Sequence, residues 1–197
     1  MTYIGLHEDS DVTMGVFIIN PRGRMPLHNH PGMHGILKVV HGTVEVSFYN
    51  RVTGLQIPGD LPEPLRTRQD LLERDIVVPA GSPTRVTVGP GSEPLVLYPN
   101  RDNFHEIRLI GDGPAAFLDI LSPPYNCEAE DGEGRLENPD DERRDCGFYQ
   151  SVRLNASQGG NPSITWLHRL KTHPPDYQCD FEPYMGPSLD ISDEDNI

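Results

Sequence analysis

Residues 43–49 read Thr-Val-Glu-Val-Ser-Phe-Tyr, with Val44, Val46 and Phe48 alternating against Thr43, Glu45 and Ser47. Successive side chains of an extended chain point to opposite faces, so strict alternation over seven residues predicts a half-buried β-strand. The same period runs through 104–110, where His105 shares a face with Ile107 and Leu109 while Phe104, Glu106 and Arg108 take the other. Shorter apolar runs bounded by Gly, Pro, Asn and Asp predict further strands at 15–20, 25–30, 36–40, 75–78, 84–88, 95–98, 115–121, 147–154 and 164–170. Residues 51–70 are Pro-rich and polar and read as a long connection, with Leu71, Leu72 and Glu73 leading back into a strand. No solenoid-type repeat is present. Many short strands joined by turns predict a closed antiparallel sandwich or barrel.

Composition supports that reading. Among 197 residues, 19 are Gly and 20 are Pro, a density that suits turns and argues against long helices. The length fits one domain, spanning 1–197, with an acidic loop at 126–146 and a short acidic tail at 188–197. The net charge is −14, which makes nucleic acid and anionic membrane poor partners. No run approaches the ~20 apolar residues of a membrane span, and no leader of charged then apolar residues opens the chain. The three cysteines, Cys127, Cys146 and Cys179, are sparse and odd in number. Disulfide stapling is therefore not expected, and the reducing cytoplasm or nucleus is the natural compartment. A monomer is expected.

The candidate chemistry lies in the stretch Pro26-Leu-His-Asn-His-Pro-Gly-Met-His-Gly35. On an extended strand His28 and His30 aim both imidazoles at one point, and neutral imidazole suits Zn, Cu, Fe and Ni. Gly23, His28-x-His30, Gly35 and Gly42 together resemble the first cupin signature, in which a glutamate ordinarily fills the Gly35 position. A second echo follows at Pro79-Ala80-Gly81, read as a turn, although Thr84 stands where many cupins carry their last histidine. These echoes imply an all-β cupin, a double-stranded β-helix or jelly roll. With no glutamate, a third ligand must come from elsewhere, and His105 is the candidate. His34 fits poorly, because Pro31-Gly32 breaks the strand between it and His30, and His41 fits no better.

Longer motifs narrow the field. Asn103-Phe-His-Glu-Ile107, Gly113 through Ser122-Pro-Pro-Tyr125, and the histidine stretch closely resemble the thiol dioxygenases, which include 2-aminoethanethiol (cysteamine) dioxygenase and the plant cysteine oxidases. The likeness runs from about Tyr3 to Tyr125 and returns at Arg144-Asp-Cys-Gly-Phe-Tyr149 and from Tyr177 to Tyr184. Family members often carry helical sequence before this core, whereas this chain starts almost at it. The resemblance implies Fe(2+) bound by His28, His30 and His105, with O2 adding both atoms to a thiol to give a sulfinic acid and a role in oxygen sensing. Three neutral ligands leave the metal its full charge, which welcomes a thiolate.

The same likeness marks Asp119 and Tyr125 as site residues. Asp119 sits among apolar neighbours, where a lone carboxylate is costly without a partner, so it serves either a structural hydrogen bond or the substrate's ammonium or a metal-bound water. Tyr125 either hydrogen-bonds bound oxygen or caps the sheet. Some animal members join a cysteine to the tyrosine two residues on; here Phe148 follows Cys146 at that spacing, so no such crosslink is expected. No arginine in the matched segments is placed to meet a substrate carboxylate. The acidic segment Glu128–Asp145 follows Tyr125 directly and, at the mouth of the site, would draw in basic peptides and repel free carboxylates. N-terminal-cysteine peptides are therefore expected to be the better substrates, small aminothiols such as cysteamine weaker ones, and free cysteine the poorest. Two other classes stay open: a three-histidine zinc hydrolase or lyase, and a cupin that binds a small ligand without turnover.

Overall fold

The computed structural model describes residues 1–55, 75–126, 144–154 and 163–187. Among them every regular element is a β-strand, and no helix is long and apolar enough to cross a membrane. The N-terminal strands are β1 (Thr2–Glu8), β2 (Thr13–Ile19), β3 (Arg24–His28), β4 (His34–His41) and β5 (Thr43–Tyr49). They are followed by β6 (Val77–Gly81), β7 (Thr84–Val88), β8 (Leu95–Leu97), β9 (Phe104–Ile110) and β10 (Ala115–Ser122). Three more, β11 (Tyr149–Val152), β12 (Ile164–Arg169) and β13 (Asp180–Glu182), complete the described chain. The expected acidic tail lies outside the described residues, as do 127–143 of the acidic loop, 56–70 of the long connection and the lead-in at 71–73.

One sheet has the strand order β13-β1-β2-β10-β4-β8, and a second has β3-β9-β5-β7. From β2 to β5, and again from β7 to β10, each strand lies in the opposite sheet to the one before it. That alternation winds the chain as a double-stranded β-helix, the cupin jelly roll. At the β4–β5 corner Gly42 has φ +70°, and a Cβ there would meet the Pro114 carbonyl oxygen at 2.5 Å. Only glycine makes this turn without strain. The core between the sheets takes Ile19, Leu37 and Phe117 from the first and Val44, Val46 and Ile107 from the second, all buried. At ~25 cal/mol per Å² of apolar surface, each such side chain contributes about 1.5–3 kcal/mol on leaving water.

A third sheet, β11-β12-β6, packs Val78, Ala80 and Leu167 against Leu27, Tyr49 and Phe104 on the outer side of the second sheet. It joins that sheet through the bridges His28↔Phe148 and Arg51↔Ala80. Two expectations need correction here. Pro79-Ala80-Gly81 lies inside β6 and is not a turn. Proline is tolerated there because β6 is the edge strand of its sheet. The strand expected at 25–30 ends at His28, where Asn29 N–H donates to the Gly147 carbonyl at 3.1 Å and the chain leaves the ladder.

Candidate metal centre

His28 and His105 are direct cross-strand partners on β3 and β9. The register shifts between Met25 and His28, and this bulge puts both side chains on the core face, although three residues apart they would otherwise oppose each other. His30 lies just past the strand, held by Asn103: its N–H donates to Asn103 Oδ1 at 3.0 Å, and Asn103 Nδ2 donates to its carbonyl at 2.7 Å. The three rings stand 4.4, 4.8 and 5.1 Å apart between centroids. Their ligand atoms all lie within 4.8 Å of one another, and all three residues are buried.

Burial holds the His28 imidazole down to about 4. Burial, with the neighbouring imidazoles adding repulsion, holds His30 and His105 well below the usual histidine range. All three are therefore neutral at pH 7, the form that binds metal. The His28 Nδ1–H donates to the Pro26 carbonyl at 2.8 Å, and the His105 Nδ1–H to the Asn103 carbonyl at 3.3 Å. A carbonyl can only accept, so these bonds place the ring proton on Nδ1 and leave each Nε2 with its lone pair. His30 Nδ1 lies 2.7 Å from the Tyr125 hydroxyl, while its Nε2 is buried with no hydrogen-bond partner among the described residues. A buried, unsatisfied nitrogen beside two more lone-pair donors is costly alone and suits a cation. The residues present fit a divalent metal.

Tyr125 follows the cis Ser122–Pro123 bond. Its hydroxyl donates to the Asn29 carbonyl at 3.0 Å, so the oxygen is left to accept from His30 Nδ1–H. The phenol thus positions a ring. Asp119 faces inward on β10, between Gly15 of β2 and Leu37 of β4. Burial pushes its carboxyl up to about 7, and it makes no hydrogen bond or ion pair among the described residues. Cys146, whose thiol burial pushes up to about 12, interacts with the Tyr125 hydroxyl. The Phe148 ring lies tilted beside that of His28, with centroids 6.4 Å apart. His34 and His41, at the two ends of β4, are exposed and outside the cluster.

A cavity of about 840 Å³ opens onto the site. His28 and His30 line one side, Asp119 and Glu8 the other, and no lysine or arginine among the described residues lines it. Asn29 and Asn103 are the site residues that sequence reasoning missed. Asn29 Oδ1 accepts from Gly147 N–H at 2.9 Å and so ties the histidine turn to the segment carrying Cys146. The signal available was a buried amide beside a candidate ligand in each case, but an isolated Asn next to His is too common to single out.

Comparison with known proteins returns a consistent answer. A family model described as PCO_ADO matches residues 1–189. The chain is 39% identical over 202 residues to the 2-aminoethanethiol dioxygenase of Mus musculus, covering 96% of this chain and 71% of that one. It is 37% identical over 204 residues to the Homo sapiens protein of the same name, covering 96% of this chain and 68% of the relative. With plant cysteine oxidase 1 of Arabidopsis thaliana it shares 29% identity over 188 residues, covering 90% of this chain and 54% of that one.

Proposed function

The chain belongs to the PCO_ADO family and is a thiol dioxygenase; we propose that it works through Fe(II) held by His28, His30 and His105 and oxidises N-terminal-cysteine peptides and small aminothiols with O2. One observation carries the metal assignment. Three buried imidazoles have their Nδ1 groups engaged, and the Nε2 of His30 has no hydrogen-bond partner among the described residues. Bound there, Fe(II) supplies the Lewis acidity that favours the thiolate and the redox capacity that activates O2.

The protein's own residues bind and orient the substrate. Three neutral ligands bring no negative charge, so the pocket favours an anionic sulfur beside them. Asp119, raised to about 7 while it lacks a partner, ionises when a substrate ammonium arrives and holds the amine next to it. Tyr125 and Asn103 fix the His30 ring and backbone, so that the histidines do not reorganise during turnover. The cavity of about 840 Å³ falls among pockets that take ligands well beyond a small aminothiol, about 300–1,000 Å³, which favours peptides. Free cysteine would bring its carboxylate toward Asp119 with no lysine or arginine among the described lining residues to receive it. Phe148 lacks the phenol a thioether requires, so Cys146 stays a free thiol. The sparse cysteines support a cytoplasmic or nuclear setting, and we treat the chain as a monomeric single domain.

The reading is tested by loading the protein with Fe(II) anaerobically, admitting air and following an N-terminal-cysteine peptide by mass. A gain of two oxygen atoms on the cysteine is expected. An unchanged peptide with iron fully bound would overturn it.

A further inference from the structure

We propose that Glu8 is a specificity residue that selects peptides carrying lysine or arginine at the second or third position, an inference that rests on the N-terminal-cysteine reading above. The pairing register is what puts Glu8 in the cavity. On β1, Tyr3 and Gly5 oppose Phe17 and Gly15, which belong to the inward face of β2. Regular alternation would then turn Glu8 outward. The register shifts between Gly5 and His7, so His7 opposes Met14 and Glu8 opposes Thr13, the next inward position of β2. A bulge re-aims a side chain in this way, and bulges recur at sheet edges, at barrel rims and beside functional sites. Glu8 accordingly lines the same cavity as His28, His30 and Asp119.

Glu8 is held there without being neutralised. Thr13 Oγ1 donates to its carboxylate at 3.4 Å, and no cation pairs with it among the described residues. Tyr3 lines the cavity with both carboxyl groups and feels the charge of Glu8 and of Asp119. Gly15 makes room for that ring, since a Cβ at this position would run into Tyr3 Cε2. The second carboxyl, Asp119, is inward-facing and has no hydrogen-bond or ion-pair partner among the described residues, so the wall offers two acidic groups to a cationic substrate.

Their spacing identifies the substrate class. Asp119 pairs with Gly15, and Glu8 pairs with Thr13 two residues further along β2. Two strand spacings of about 4.8 Å across and two residues of about 3.4 Å along place the two backbones about 12 Å apart. With the cysteine ammonium at Asp119, an extended peptide advances about 3.3 Å per residue. A lysine or arginine at position two or three then brings its charge to Glu8. Cysteamine is too short to reach it.

The experiment compares kcat/KM for peptides Cys-Xaa-Yaa-Gly-Ala, with Lys, Gln or Glu placed at position two or three, in the iron-loaded wild type, Glu8→Gln and Glu8→Lys. Glu8 is solvent-exposed at the cavity rim, so we expect the wild type to prefer Lys over Gln by only about threefold to fivefold. The ratio should fall to 1 in Glu8→Gln, invert in favour of Glu in Glu8→Lys, and shrink at high salt in the wild type. Each ratio is internal to one protein, so a general loss of folding or iron cancels. A Lys preference unchanged in Glu8→Gln would overturn the inference while leaving the dioxygenase reading intact, as would equal turnover of all peptides by the wild type. If no peptide is oxidised but cysteamine is, the peptide reading falls and the inference with it.

Discussion

On one side of the site three imidazoles, His28 at the end of β3, His30 just beyond it and His105 of β9 behind them, have their Nδ1 groups held by Pro26, Tyr125 and Asn103, and the first two line the cavity. The facing wall, formed by β1, β2 and β10, carries Asp119 and Glu8 with no ion-pair partner among the described residues. One wall is finished by the protein and the other by what binds. Desolvation acts on both with opposite outcomes. It pushes the imidazoles down and keeps them neutral at pH 7, whereas it pushes the Asp119 carboxyl up to about 7, where a bound cation tips it to the charged form. A preformed metal wall beside an unneutralised acidic wall is the arrangement expected for a fixed metal and an exchanging, amine-bearing substrate.

The largest expected effect breaks the first wall. His105→Ala removes one of three ligands, so iron content should fall to background and thiol oxidation with it, by more than 1,000-fold as an order of magnitude. Metal analysis alongside activity checks this, and retention of one iron with full activity would remove His105 from the ligand set.

Acid sharpens the contrast in the metal-free protein. His28 titrates at about 4 when folded and about 6.5 when unfolded, so between these values the unfolded chain binds the proton and the folded one does not. Its contribution is complete above pH 6.5 and is lost as pH falls toward 4, on the order of 3 kcal/mol over that window. Asp119, raised to about 7 in the fold, has the opposite slope: its contribution is present below its unfolded value of about 4 and is lost as pH rises toward 7. Three imidazoles outweigh one carboxyl, so stability should rise from pH 4.5 to 6.5, and more steeply in Asp119→Asn. Urea titrations across this range check both slopes, and a flat profile in the two proteins would contradict the buried neutral assignments.

Changes within the second wall should act on substrates and not on metal. Asp119→Asn should lower kcat/KM for cysteamine about 100-fold, as expected for deleting one partner of a desolvated charge pair, with far less effect on 2-mercaptoethanol, which has no amine. An equal loss for both thiols would assign Asp119 to structure instead. Tyr125→Phe should weaken iron binding by about tenfold, since it frees the ring that the hydroxyl positions. Competition with a chelator reads this directly, and an unaltered affinity would argue against a positioning role.

The two walls also differed in how visible they were along the chain. Strands 43–49, 84–88 and 104–110 appear with the boundaries that alternation predicts, because their ladders are uninterrupted. His105 could therefore be given an inward face from its neighbours alone. His28 could be linked to His30 by spacing, but its facing His105 depends on the bulge after Met25, which no period-2 reading shows. On the acidic side β1 escaped notice altogether. Gly5 and the bulge after it break the alternation, and besides its hairpin partner β2 the strand pairs with three exposed residues of β13, which are distant in sequence. Glu8 consequently looked like one surface acid among many.

The central claim, one Fe(II) at the three-histidine wall serving an amine-bearing thiol at the carboxylate wall, is tested most directly by titrating metal-free protein with Fe(II) under argon and measuring initial O2 uptake with an N-terminal-cysteine peptide at each point. The account predicts a linear rise that breaks at one iron per chain, with one O2 consumed per sulfinate formed. Zinc should bind without supporting uptake. Uptake that fails to saturate at one equivalent, or iron binding without O2 consumption, would contradict it.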